Sequence, residues 1–173
     1  RGSEGAALRL LCLHQTIEGA AVEGHLFRDG DDVIRGRDLP GGFAAVLCGH
    51  IHRSQVLTRD LAGRPLAAPV LYPGSVERTS FAERHEAKGF MVLELEPDPA
   101  AGGRLAGWEL RELPARPMAA VEVDATGCGL AALEERLRGA FAPLPHDAVV
   151  QLRVMGELAG GAADGFRAAS LRR

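Results

Sequence analysis

Two short apolar runs, each ending on histidine, constrain this chain more than any other feature. Ala7-Leu8-Arg9-Leu10-Leu11-Cys12-Leu13 leads into His14, and Phe43-Ala44-Ala45-Val46-Leu47-Cys48 leads into Gly49-His50-Ile51-His52. Neither run approaches the roughly 20 apolar residues a membrane helix needs. Both are too evenly apolar for a strand with one wet face. They read as strands covered on both faces, the pattern of a parallel sheet in an α/β protein. Parallel neighbours bring their C-terminal ends together, at the edge where open α/β sheets hold ligands. His14 is therefore expected beside His50 and His52. A strand covered on both faces also needs neighbours, and a region preceding this chain is the natural source.

The remaining pattern predicts a mixed α/β (α+β) chain in two parts. Residues 1–5 and the Gly- and Asp-rich stretch 18–42 read as loop, the latter with one helical turn. Residues 55–58 and 69–72 read as strands about a turn at Gly63, and Pro73-Gly74-Ser75 as a turn. Residues 89–96 and 104–113 read as a hairpin joined by the Pro/Gly/Ala loop 97–103. Leu113-Pro114-Ala115-Arg116-Pro117 marks a boundary, giving parts 1–113 and 117–173. The second part reads as strand (118–124), helix (130–141) and strand (149–155), a small cap on the first. Leu130, Leu133, Leu137 and Phe141 share one helical face, leaving Glu134, Glu135, Arg136 and Arg138 to solvent. A Gly-rich stretch then leads to a short helix at 164–171.

The histidines carry the chemistry. In extended backbone residues i and i+2 share a side, so His50 and His52 are expected to present both imidazoles to one point. Gly49 leaves room for close approach at the strand end. Imidazole is a good ligand for zinc, manganese or iron. Three unrelated surface or core histidines are the plainer alternative. A rival reading joins Cys12 and His14 to Cys48, His50 and His52 in a tetrahedral zinc site. Against it, both cysteines lie inside apolar runs, where a free thiol behaves as a small hydrophobe, and no Cys-x-x-Cys knuckle is present. His25 reads as a loop residue, His85 as exposed and His146 as part of a turn. Cys128 has no base nearby in sequence, no serine sits in a Gly-x-Ser-x-Gly context, and Gly41-Gly42 precedes a strand rather than a helix.

Composition narrows the partners. The net charge of -3 exerts no overall pull on nucleic acid, so any DNA contact must come from a metal site or a local patch. The Arg-rich stretch 104–116 and Arg172-Arg173 are the candidate patches. Three cysteines close no disulfide framework, which points to a reducing, cytoplasmic compartment. The chain contains no Asn, and Lys88 is its only Lys.

Three segments together carry a resemblance. They are Leu13-His14-Gln15, then Leu47-Cys48-Gly49-His50-Ile51-His52-Arg53, then Leu71-Tyr72-Pro73-Gly74-Ser75-Val76-Glu77-Arg78 through Phe81-Ala82-Glu83 to Lys88-Gly89-Phe90. In this order they resemble the second half of the calcineurin-like phosphoesterases, and specifically the Mre11/SbcD branch of DNA-repair nucleases. The Tyr-Pro-Gly-Ser, Glu-Arg and Lys-Gly-Phe elements favour that branch. The resemblance covers residues 8–96 well and 118–158, similar to the family's small DNA-facing capping domain, more loosely.

It implies the C-terminal half of a four-layer metallophosphoesterase β-sandwich with a small α/β capping domain. It implies His14 and His50 on one metal of a dinuclear centre and His52 on the other. Gln15, Arg53 and Ser75 would lie beside the substrate. The ions, manganese in this family, would support two-metal phosphodiester hydrolysis, with DNA as substrate, an SbcC/Rad50-like ATPase as partner and a homodimer as assembly. The family's Asp-x-His, bridging Asp and Asn-His elements precede the position of His14. None of the residues before His14 is Asp, Asn or His. The resemblance therefore places no catalytic residue in this chain, puts the general-acid His in the missing N-terminal half, and predicts two metals only when that half is present. Another calcineurin-like activity, on a nucleotide or phosphoprotein, and a non-catalytic DNA- or partner-binding module are the competing expectations.

Overall fold

The computed structural model describes residues 7–159; the sequence-predicted helix at 164–171, the loop at 1–5 and the Arg172-Arg173 patch lie outside them. The chain forms two compact units that part between Ala115 and Arg116. Its architecture is mixed α/β.

The first unit opens with β1 (Leu10–His14), β2 (Thr16–Ile17), β3 (Ala21–Val22), β4 (His25–Leu26) and β5 (Val33–Ile34). β6 (Ala45–Gly49), β7 (Gln55–Arg59), β8 (Pro65–Tyr72), β9 (Gly89–Glu96) and β10 (Arg104–Glu112) follow. The main sheet has the order β1-β6-β8-β7, with β1, β6 and β8 parallel and β7 antiparallel to β8. The stretch 18–42 carries paired two-residue strands and a 3-10 turn at Gly36–Asp38, where loop with one helical turn was expected.

Val46 and Cys48 of β6, Val70 and Tyr72 of β8, Ile17 of β2 and Ala20 just after it are fully buried in the core. Each fully buried large apolar side chain contributes roughly 1.5–3 kcal/mol. β1 is less enclosed than its sequence implies: Leu10 and Cys12 are exposed and alternate with half-buried neighbours. It lies at the edge of the sheet, with one flank unpaired. β8 begins earlier than residue 69, running through both Pro65 and Pro69. Its pairing with β7 is irregular between Leu57 and Arg59, and a proline without an N–H is tolerated in a strand at such a break.

Tyr72 fastens the loop after β1. Its buried hydroxyl donates to the Gln15 carbonyl at 2.9 Å and accepts the Ile17 N–H at 2.8 Å. Burial and the neighbouring Cys48 thiol push its phenol well above the usual range, and the Ile17 N–H opposes them. Tyr72→Phe leaves a buried donor and acceptor without this partner. We expect a loss of about 1–3 kcal/mol in a urea titration; a change under about 0.5 kcal/mol would mean that the loop re-bonds without the hydroxyl.

The β9–β10 ribbon is antiparallel, closed by the 97–103 loop. Register places Met91 opposite Leu110, Leu93 opposite Trp108 and Leu95 opposite Leu105, so one face is apolar. Trp108 is half exposed on it.

The second unit is a β-α-β element: β11 (Met118–Asp124), α1 (Leu130–Phe141) and β12 (Val149–Met155), the strands parallel. Leu133 and Leu137 are buried against Val123, Ala125 and Cys128, with Phe141 packed beside them, while Glu134, Glu135, Arg136 and Arg138 are exposed. The helical period therefore maps onto burial residue by residue. Among the described residues, no helix is long and apolar enough to cross a membrane.

Candidate metal centre

His14 ends β1 and pairs in register with Gly49, the last residue of β6. A side chain at 49 would push the His14 ring from its place: a Cβ there would stand 2.7 Å from His14 Nδ1. The bare backbone lets the two strand ends close up, and the rings of His14 and His50 meet edge to face with centroids 5.5 Å apart.

His50 does not continue the strand. Its φ is +82°, and it is the one non-glycine residue with positive φ among those described. A non-glycine residue held there costs on the order of 1–3 kcal/mol, and such strain concentrates at functional sites. The extended backbone expected at His50 is therefore corrected, while His50 and His52 line one cleft. The His50 ring meets that of His14, and His52, after buried Ile51, has a hydrogen-bonding environment of its own.

That environment is built by residues 74–88. His52 Nδ1 lies 3.1 Å from Thr79 Oγ1 and 3.1 Å from Glu83 Oε1. The His52 carbonyl accepts the Ser75 N–H at 3.2 Å and Lys88 Nζ at 3.1 Å. Gly74 is needed beside it, because a Cβ there would come within 2.8 Å of the same carbonyl. Lys88 Nζ also contacts Glu83 Oε2 at 2.8 Å and Glu86 Oε2 at 3.1 Å, and its side chain is wholly buried. Burial alone raises the Glu83 pKa; hydrogen bonds from Lys88, the Thr79 backbone, His52 and the Thr79 hydroxyl more than offset this and hold it at about 2.

The three substrate-adjacent candidates have different fates. The Gln15 side chain donates to the Asp32 carbonyl at 2.9 Å, and Ser75 Oγ donates to the Glu77 carbonyl at 2.8 Å, so both are engaged in local structure. Arg53 is exposed and lines two clefts. One, of about 290 Å³, runs past His50, His52 and Glu83; the other, of about 480 Å³, past His85 and Trp108. His25 packs edge to face on Phe27, centroids 4.6 Å apart. Thr79, Glu83 and Lys88 escape a sequence reading confined to candidate ligands. The one available signal is that a chain with Arg at nearly every basic position keeps a single Lys.

The donor set fits borderline divalent ions at three ligand positions: exposed imidazoles, of which His14 and His50 adjoin and His52 lines the same cleft as His50. Among the described residues, no three His, Cys, Asp or Glu side chains group closely enough to hold an ion, which also removes the geometry for a Cys/His zinc site. No protein-family model matches this sequence, and no curated protein matches it.

Proposed function

We propose that this chain is the C-terminal part of a calcineurin-like metallophosphoesterase, supplying three imidazoles to a centre that residues outside the chain complete. Within that class we assign it to the Mre11/SbcD branch, a DNA-repair exonuclease that works with an SbcC/Rad50-like ATPase. The first unit would be the C-terminal half of the four-layer β-sandwich and the second the small capping domain.

One observation carries the reading: the parallel register of β1 on β6, which sets His14 against Gly49 and His50 at the C-terminal edge of the sheet. The open flank of β1, apolar at Leu10, supports it, because a further strand and layer would cover that flank. Bound there, two divalent ions, manganese in this branch, would supply Lewis-acid charge and an activated water for phosphodiester hydrolysis. His14 and His50 would hold one ion and His52 the other through neutral imidazole nitrogens, and Arg53, exposed on the cleft that His50 and His52 line, would meet a substrate phosphate.

The test uses the full-length protein on linear duplex DNA with Mn²⁺, beside the 173-residue chain alone. We expect hydrolysis by the former and none by the latter. His14→Ala or His50→Ala in the former should lower kcat/KM at least about a hundredfold, the scale of the several kcal/mol that metal charge contributes. Robust manganese-dependent degradation by this chain alone, or undiminished activity in both variants, would sink the reading. Preference for small phosphodiesters over DNA would move it to another calcineurin-like branch. DNA binding without hydrolysis would favour a non-catalytic module.

A further inference from the structure

We propose that Glu83 and Thr79 are positioning residues that fix the neutral His52 ring with its proton on Nδ1, leaving the Nε2 lone pair as its one outward donor atom. This rests on the reading of His52 as a metal ligand.

Lys88 carries three N–H bonds and no lone pair, and it has three acceptors: Glu83 Oε2, Glu86 Oε2 and the His52 carbonyl. Glu83 Oε2 also receives the Thr79 N–H at 3.2 Å. With Oε2 held by two donors, Oε1 is turned toward His52. An ionised carboxylate oxygen can only accept, so Oε1 can satisfy His52 Nδ1 only if that nitrogen carries the hydrogen. Thr79 points the same way: its hydroxyl proton is committed to Glu83 Oε1 at 2.9 Å, so what it offers His52 Nδ1 at 3.1 Å is a lone pair. Two acceptors, themselves joined by a hydrogen bond, therefore meet one ring nitrogen. Histidine free in water prefers its proton on Nε2, the opposite tautomer, so the protein has to impose this one. A carboxylate on the far nitrogen fixes ring orientation and tautomer and raises the basicity of the ligating atom.

Lys88 makes the arrangement directional. In Glu83→Gln the side-chain shape is kept, but one terminus becomes a donor. Lys88 and the Thr79 N–H both demand an oxygen, so the amide oxygen goes to their side and the NH₂ faces His52. A donor against Nδ1 requires a lone pair there, and the ring proton moves to Nε2. The variant should thus swap the tautomer with little change in packing.

The experiment is two-bond ¹H–¹⁵N correlation spectroscopy on the metal-free 173-residue chain. It is run about two pH units above the ordinary imidazole pKa of ~6.5. We expect wild-type His52 to show a pyrrole-type Nδ1 and a pyridine-type Nε2, and Glu83→Gln to reverse them. Thr79→Val should keep the wild-type tautomer through Glu83. Wild-type His52 protonated on Nε2, or averaging as free histidine does, would overturn the proposal. So would a Glu83→Gln spectrum indistinguishable from wild type in a folded protein. Because the ring is read without metal, these outcomes are separate from failure of the phosphoesterase reading, which would show as absent manganese-dependent activity in the full-length protein.

Discussion

Lys88→Met should unfold the first unit about 3 kcal/mol more easily than wild type. The substitution keeps volume and chain length and removes the charge that Glu83 and Glu86 face. Their side chains are only 12% and 17% exposed, so neither carboxylate can turn fully to water. Removing one partner of a buried ion pair costs roughly 3–5 kcal/mol, because the other is left uncompensated. The lower end applies here, since both carboxylates keep a rim of solvent. Lys88→Arg should recover only part of the loss: a planar guanidinium cannot direct its donors to three acceptors arranged around one ammonium. Trp108, the only tryptophan, lies in the first unit, so its fluorescence in urea reports that unit's transition. A Lys88→Met midpoint within error of wild type would show that the ammonium contributes nothing net, as many ion pairs do.

The same residue shows where reading the sequence stops. Elements whose pattern is local were legible in it: the helix period of Leu133 and Leu137, the hairpin about the 97–103 loop, and the two apolar runs that become β1 and β6. Those runs also placed His14 beside His50, because parallel pairing fixes which strand ends meet. What failed depended on backbone detail or distant contacts. The shared-side rule for His50 and His52 holds only in extended backbone, and one residue at φ +82° breaks it. Gln15 also bonds to the Asp32 carbonyl, 17 positions away, a contact that its place beside a motif residue does not reveal. The support of His52 comes from residues 27 to 36 positions away, joined by a fold rather than by a motif. A lone Lys in an Arg-rich chain was the visible trace of that support. The physical reason, three donors for three acceptors, needed coordinates.

Acid should weaken the first unit along a course set largely by Glu83. Its pKa falls from an ordinary 4.5 to about 2 in the folded protein, where Lys88, Thr79 and His52 outweigh the burial that opposes ionisation. One pKa unit corresponds to about 1.4 kcal/mol, so the ionised side chain contributes about 3 kcal/mol at neutral pH. The sign follows from the depressed value. Between the two pKa values the unfolded chain binds the proton and the folded chain does not, so stability rises with pH there. The contribution is complete above about pH 5.5 and is lost as pH falls through the folded value of about 2. Urea midpoints followed by Trp108 fluorescence at stepped pH should therefore drop steeply below about pH 5 in wild type. Glu83→Gln should start lower at neutral pH, fall less steeply, and meet the wild-type curve near pH 2. Asp60, whose pKa is also lowered, is present in both proteins and cancels in the difference. Parallel curves would mean that Glu83 has no stabilised ionised state.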